Sequence, residues 1–227
     1  MKERILKLSD GTEILLVLVV AFGIFIPGNL AALIAPATLA HSDAPPITNS
    51  RLLGLVGYEL AILGILTTFL RARGWSLERL GVRPSIRDTL YGVGLCVGYY
   101  AFYWALVVVL AWLWPTFGLL LTATHLVGAD LRWSTVLLAS AVNPVFEEVF
   151  VCGYVISAMK ERLGVTTAVN VSAGLRLFYH FYQGAVGVVG VAPLALLFAY
   201  LFARTGRLWP LIVAHALTDF WALAASM

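Results

Sequence analysis

The sequence predicts an all-α fold, a polytopic transmembrane helical bundle of about seven spans with a cytoplasmic N-terminus. Three observations predict it. Of 227 residues, 61% are hydrophobic and only 12% charged, where soluble domains carry roughly 25% charged residues. Apolar runs recur along the whole chain, most of them near the roughly 20 residues that a helix needs to cross about 30 Å of hydrocarbon. Basic residues gather in alternate connections between those runs, as the positive-inside rule requires.

The runs extend from Glu13 to Ala35, Leu52 to Leu70, Thr89 to Trp114, Thr135 to Met159, Gly164 to Gly184, Val186 to Ala203 and Leu208 to Ala225. Pro27-Gly28-Asn29 interrupts the first run and predicts a kink or a split there. The fifth and sixth are nearly continuous, with a junction between Gln183 and Gly187. Lys2, Arg4 and Lys7 precede span one, and Arg71, Arg73, Arg79, Arg83 and Arg87 separate spans two and three. Lys160 and Arg162 follow span four, Arg204 and Arg207 follow span six, and the opposite connections hold Arg51 and Arg132. This pattern places the N-terminus inside and the C-terminus outside. The net charge of +3 therefore reports topology rather than nucleic-acid binding. The basic start and first apolar run read as a retained anchor, not a cleaved leader. Cys96 and Cys152 fall inside spans, and Trp104, Trp112, Trp114, Trp133 and Trp209 fall mostly near span ends, where aromatic belts form.

The chain divides by content into residues 1–134, with spans one to three, and residues 135–227, with spans four to seven, within one structural unit. Glu59 is the one polar exception noted in the first part, while the second part carries nearly every ionisable group inside a span. Glu147 and Glu148 are adjacent in span four, Arg176 and His180 lie in span five, and His215 and Asp219 lie in span seven. Leaving Glu147, Glu148 and Asp219 charged and unpaired in hydrocarbon costs about 8 to 10 kcal/mol. Such groups are paired, protonated or used, and each outcome draws three spans around one polar site.

Residues four apart share a helix face, so His215 and Asp219 project together, as do Arg176 and His180. Glu147 and Glu148 diverge by about 100 degrees, so one faces the common site and the other braces it. Asn143 and Gln183 are within reach of the cluster or of backbone groups near Pro144. Carboxylates with two imidazoles can bind Zn2+ or another divalent metal, or activate a water without one. Intramembrane Glu, His and Asp also form proton relays, so a proton-coupled transporter is an alternative. A catalytically inactive membrane scaffold is another.

Asn143-Pro144-Val145-Phe146-Glu147-Glu148-Val149-Phe150-Val151-Cys152-Gly153-Tyr154, then Tyr179-His180-Phe181-Tyr182-Gln183-Gly184, then Gly206-Arg207-Leu208-Trp209-Pro210 leading to His215-Ala216-Leu217-Thr218-Asp219, appear in this order. This order resembles the CAAX protease and bacteriocin-processing enzyme (CPBP) family of intramembrane proteases, also called the abortive-infection domain family, over roughly the last 90 residues. The resemblance implies an intramembrane endopeptidase, metallo- or glutamate-dependent, acting on a membrane-associated protein or peptide in a prokaryotic-type cell membrane. It implies Glu147 as the water-activating base, with His180 holding the water or a metal. His215 and Asp219 would stabilise the oxyanion or complete a metal shell, giving Glu147, His180, His215 and Asp219 as the tentative metal set and Glu148 as a further catalytic residue. Asp219 tilts this reading toward a metal, because an ionised Asp cannot donate to an oxyanion.

Two positions depart from the family pattern. Cys152 stands where the family has an Arg, and Arg176 where it commonly has a Phe. Arg176 is therefore expected to replace the missing cation at the Glu147/Glu148 pair, or else to salt-bridge Glu59. Arg176, Asn143 and Glu59 are accordingly supporting residues of the site.

Overall fold

The computed structural model describes residues 8–34, 47–116 and 128–227. Lys2, Arg4, Lys7, His41 and His125 lie outside the described residues. The chain forms a helical bundle. Helix α1 (Asp10–Phe22) passes through a 3-10 turn (Gly23–Phe25) into α2 (Ile26–Ile34), followed by α3 (Asn49–Ala72) and α4 (Ile86–Leu113). Next come α5 (Trp133–Glu147), a π-helical segment (Glu148–Tyr154) and α6 (Val155–Leu163), which run as one long rod. Helix α7 (Val165–Tyr179), a 3-10 turn (Phe181–Gln183), α8 (Gly184–Thr205) and α9 (Trp209–Ala224) complete the bundle. The only strand pairing among the described residues is a two-residue parallel bridge, Ile47–Thr48 with Gly128–Ala129.

Five helical stretches are long and apolar enough to cross a membrane: Asp10–Ala31, Asn49–Ala72, Ile86–Leu113, Trp133–Leu163 and Gly187–Thr205. Helix α9 is a shorter apolar helix, and α7 has 15 residues, about 22 Å at 1.5 Å per residue. The seven apolar runs thus all become helices, two of them shorter than a full span. At Pro27 the chain kinks without breaking. The 3-10 turn tightens the path just before it, and Asn29 Nδ2 donates to Phe25 O at 2.8 Å. Asn29 Oδ1 then accepts from the Tyr182 amide at 3.0 Å, tying this kink to the turn between α7 and α8.

Local chemistry sets the helix starts. Ser9, Thr48 and Ser85 accept from backbone amides of the first turns of α1, α3 and α4. Gly164, at φ +83°, reverses the chain between α6 and α7 in a conformation that side-chain-bearing residues rarely adopt. The main core runs from Val17 and Phe22 on α1 to Ala214 on α9, so it draws on both parts of the sequence.

Both kinds of connection gather as the basic pattern requires. The Arg73, Arg162 and Asp10 side chains form ion pairs at one end of the bundle, and there Arg207 pairs with the buried Asp88. The Leu208 amide donates to Gly81 O at 2.9 Å at this same end. Arg132 and Asn49 meet at the other end.

A buried knot at the basic end has no counterpart in the sequence analysis, which starts the first run at Glu13 but assigns that residue no role. The Glu13 carboxylate accepts from Arg73, from Trp75 Nε1 at 2.9 Å and from Tyr154 OH at 3.0 Å. It joins α1, the α3–α4 connection and the π segment. Removing one partner of a buried ion pair costs about 3–5 kcal/mol. Glu13→Ala is therefore expected to lower thermal stability in detergent by an equivalent amount, with Glu13→Gln recovering part of it.

Candidate active site

The site is assembled where the long α5–α6 rod changes its helical pitch. Pro144 lacks an amide hydrogen, so the carbonyl of Ser140 loses its helical donor. Eleven residues later the Val155 amide reaches back to Phe150 O, the five-residue spacing of a π turn. Such turns recur at functional sites because they change the direction of side chains within a continuous helix. Here the change falls between the two acids. Glu147 closes the α-helical stretch, and Glu148 opens the π segment.

The two carboxylates accordingly have different surroundings. Glu148 is fully buried, and its Oε1 accepts from Arg176 Nη2 at 2.6 Å and contacts His215 Nδ1 at 2.8 Å. Glu147 lines a cavity of about 500 Å³. Its Oε2 accepts from Tyr179 OH at 2.6 Å, and its Oε1 accepts from Asn143 Nδ2 at 3.3 Å. Asn143 Nδ2 also donates to Glu59 Oε1 at 2.7 Å, so the Asn143 amide links α3 to α5 across the cavity wall. Arg176 thus reaches Glu148 and not Glu59. Its Nη2 also lies 3.8 Å from Cys152 Sγ, beside the position from which the family's Arg would project.

The imidazoles are held with equal definition. His180 Nδ1 lies 2.8 Å from Arg176 O. A carbonyl only accepts, so this contact puts a proton on Nδ1 and leaves Nε2 of a neutral ring as an acceptor. His215 Nδ1 is engaged by Glu148. Its Nε2 is 3.4 Å from Asp219 Oδ1 and 4.0 Å from Glu147 Oε2, the latter too long for a direct hydrogen bond. The Glu147 carboxylate and the His215 Nε2 edge therefore both border the cavity without bonding to each other.

Glu147, His180, His215, Asp219, Arg176, Asn143 and Glu59 all line the same cavity, with Glu148 directly behind it. The cavity continues past Leu52 to Ile47 and Arg51, at the end of the bundle opposite the arginine-rich one. Tyr179 is the residue of this site that sequence reasoning passed over. It follows Arg176 by three positions, on the same helix face, and stacks on Phe22 with ring centroids 5.1 Å apart. Its place beside His180 in the second motif was the available signal.

The four residues expected as metal ligands, Glu147, His180, His215 and Asp219, share the cavity without converging on one point. Among the described residues no three His, Cys, Asp or Glu side chains form a group able to hold an ion. Glu147 is occupied by Tyr179 and Asn143, and His215 Nδ1 by Glu148.

Residues 129–221 match the family model of the Rce1-like type II CAAX prenyl endopeptidases. The matched stretch contains all three of the motifs, from Asn143 to Asp219. No curated protein and no solved structure matches the chain.

The Arg176–Glu148 contact makes the cation movable in principle. Arg176→Phe is expected to cost about 3–5 kcal/mol, because it leaves Glu148 buried and uncompensated. Adding Cys152→Arg should restore much of that loss, since the new guanidinium starts beside the volume that the old one vacates. A double-mutant cycle on thermal stability reads this as a coupling of about 2–3 kcal/mol.

Proposed function

We propose, from the match of residues 129–221 to the family model of the Rce1-like CAAX prenyl endopeptidases, that this chain hydrolyses a peptide bond of a membrane-associated protein or peptide with a water activated by Glu147. The observation that carries the proposal is the placement of Glu147 on the cavity, facing His215 Nε2 across 4.0 Å, while Glu148 stays buried against Arg176.

In this reading Tyr179 and Asn143 aim the Glu147 carboxylate and the acceptor Nε2 of His180 helps hold the water. Glu147 takes a proton as the water oxygen bonds to the scissile carbonyl carbon. The resulting oxyanion accepts from His215 Nε2–H, a fixed donor in a site shielded from bulk water. The same proton then passes from Glu147 to the leaving nitrogen as the C–N bond breaks, giving a carboxylic acid and an amine, and the acid's proton passes to the amine on release. Asp219, 3.4 Å from His215 Nε2, orients that ring and supports its charge, which answers why an Asp serves where an oxyanion donor was sought. The prokaryotic-type cell membrane remains the proposed location, with the basic end of the bundle toward the cytoplasm.

Glu147→Gln preserves shape and the Tyr179 contact, and is expected to lower kcat by about 10²- to 10⁴-fold with the fold intact. Comparing cleavage products in membranes carrying the native chain and this variant is the direct test. Unchanged products would select the inactive-scaffold reading, and proton flux in proteoliposomes that vanishes with Glu147→Gln would select transport. Activity of the purified chain should survive chelation. Loss on chelation with recovery on added Zn2+ would replace the metal-free scheme.

A further inference from the structure

A second concavity lies on the outer surface of the bundle, away from the catalytic residues. It is a groove of about 710 Å³ between α4 and α8, floored in part by Leu211 of α9. The groove exists because α4 presents Gly94 and Gly98, four residues apart, where an added Cβ would meet nothing within 4 Å. Pro193 and Leu197 of α8 form the facing wall, and Tyr99, which also lines the catalytic cavity, ties α4 to α8 by donating its hydroxyl to Gly190 O at 3.1 Å. The walls are almost wholly apolar along this length.

One end differs. Arg207 lines the groove at the arginine-rich end of the bundle, beside Tyr91. The Arg207 and Arg87 guanidiniums both lie near the Tyr91 ring, 5.7 and 5.4 Å from its centroid. Arg87 also donates through Nε and Nη2 to the Tyr91 hydroxyl at 3.2 and 3.0 Å. Arg207 is already paired with Asp88, so Arg87 supplies the excess positive charge.

Length identifies the occupant. From Leu90 to Phe102 the groove follows α4 for 12 residues, about 18 Å at 1.5 Å per residue. That is on the order of one leaflet, half of the roughly 30 Å hydrocarbon core. A transmembrane peptide needs both leaflets, whereas one lipid tail needs one. We propose that the α4–α8 groove holds an acyl chain of an anionic phospholipid whose phosphate lies between Arg87 and Arg207. The site is independent of the protease reading. Charge favours an anionic head because a basic residue near the membrane surface contributes about 1 kcal/mol of attraction.

The test is native mass spectrometry of the full chain in detergent, titrated with phosphatidylglycerol or phosphatidylcholine of identical acyl composition. Phosphatidylglycerol should bind more tightly by at least fivefold. Gly98→Leu fills the groove and should abolish the tight binding of phosphatidylglycerol, while Gly64→Leu, on the exposed face of α3, should leave it unchanged. Arg87→Gln should keep acyl binding and reduce the head-group preference about fivefold, the equivalent of about 1 kcal/mol. Equal binding of the two lipids, or phosphatidylglycerol binding that survives Gly98→Leu, overturns the proposal. Should Gly98→Leu fail to fold, Gly94→Leu fills the same groove one turn away and carries the same expectations.

Discussion

The bundle depends on one buried charge pair. Glu148 and Arg176 are both almost completely shielded, on the α5–α6 rod and on α7, with His215 of α9 on the same carboxylate oxygen. Three helices are thereby fixed around a single atom, Glu148 Oε1. A buried pair contributes little net stability, because desolvation offsets its attraction, yet removing one member is costly. Its physical value is specificity: other packings of α5, α7 and α9 leave a charge in hydrocarbon. With Glu148 so held, the π segment turns Glu147 the other way, onto the cavity.

The site is built in two layers as a result. The inner layer is Glu148 with its two partners, the Arg176 guanidinium that reaches it from the cavity wall and the Nδ1 side of His215. The outer layer of Glu147, His180, Asp219 and the Nε2 side of His215 faces open space. His215 belongs to both, with Nδ1 against the buried Glu148 and Nε2 turned toward Asp219 and the cavity. Asn143 and Tyr179 hold Glu147 in the same sense that Arg176 holds Glu148.

Much of this was legible in the residues. Hydropathy gave the helices, and the alternation of arginines gave which connections gather at the same end of the bundle, because both patterns act along the chain. Helical spacing grouped His215 with Asp219 and Arg176 with His180, and the double Glu marked its own position by its cost. What stayed hidden depended on features without period. The π segment is invisible to a 3.6-residue pattern, so the division of roles between Glu147 and Glu148 could be stated but not explained. Glu13 lay at the margin of an apolar run, where an acid resembles an ordinary first-turn residue. Tyr179 carried no charge to flag it, although its hydroxyl is as well placed as any carboxylate partner in the site.

The exchange at Cys152 and Arg176 bears on how such proteins are recognised. A linear motif treats the cation as a property of one helix, spaced four residues from an acid. In space the requirement is a guanidinium beside Glu148, and α7 satisfies it as directly as the α5–α6 rod would. A guanidinium carried by α7 and one carried by the α5–α6 rod at position 152 would therefore serve the same acid. A pattern that asks for the cation four residues after the acid overlooks this arrangement, and one written as neighbouring positions in space finds it.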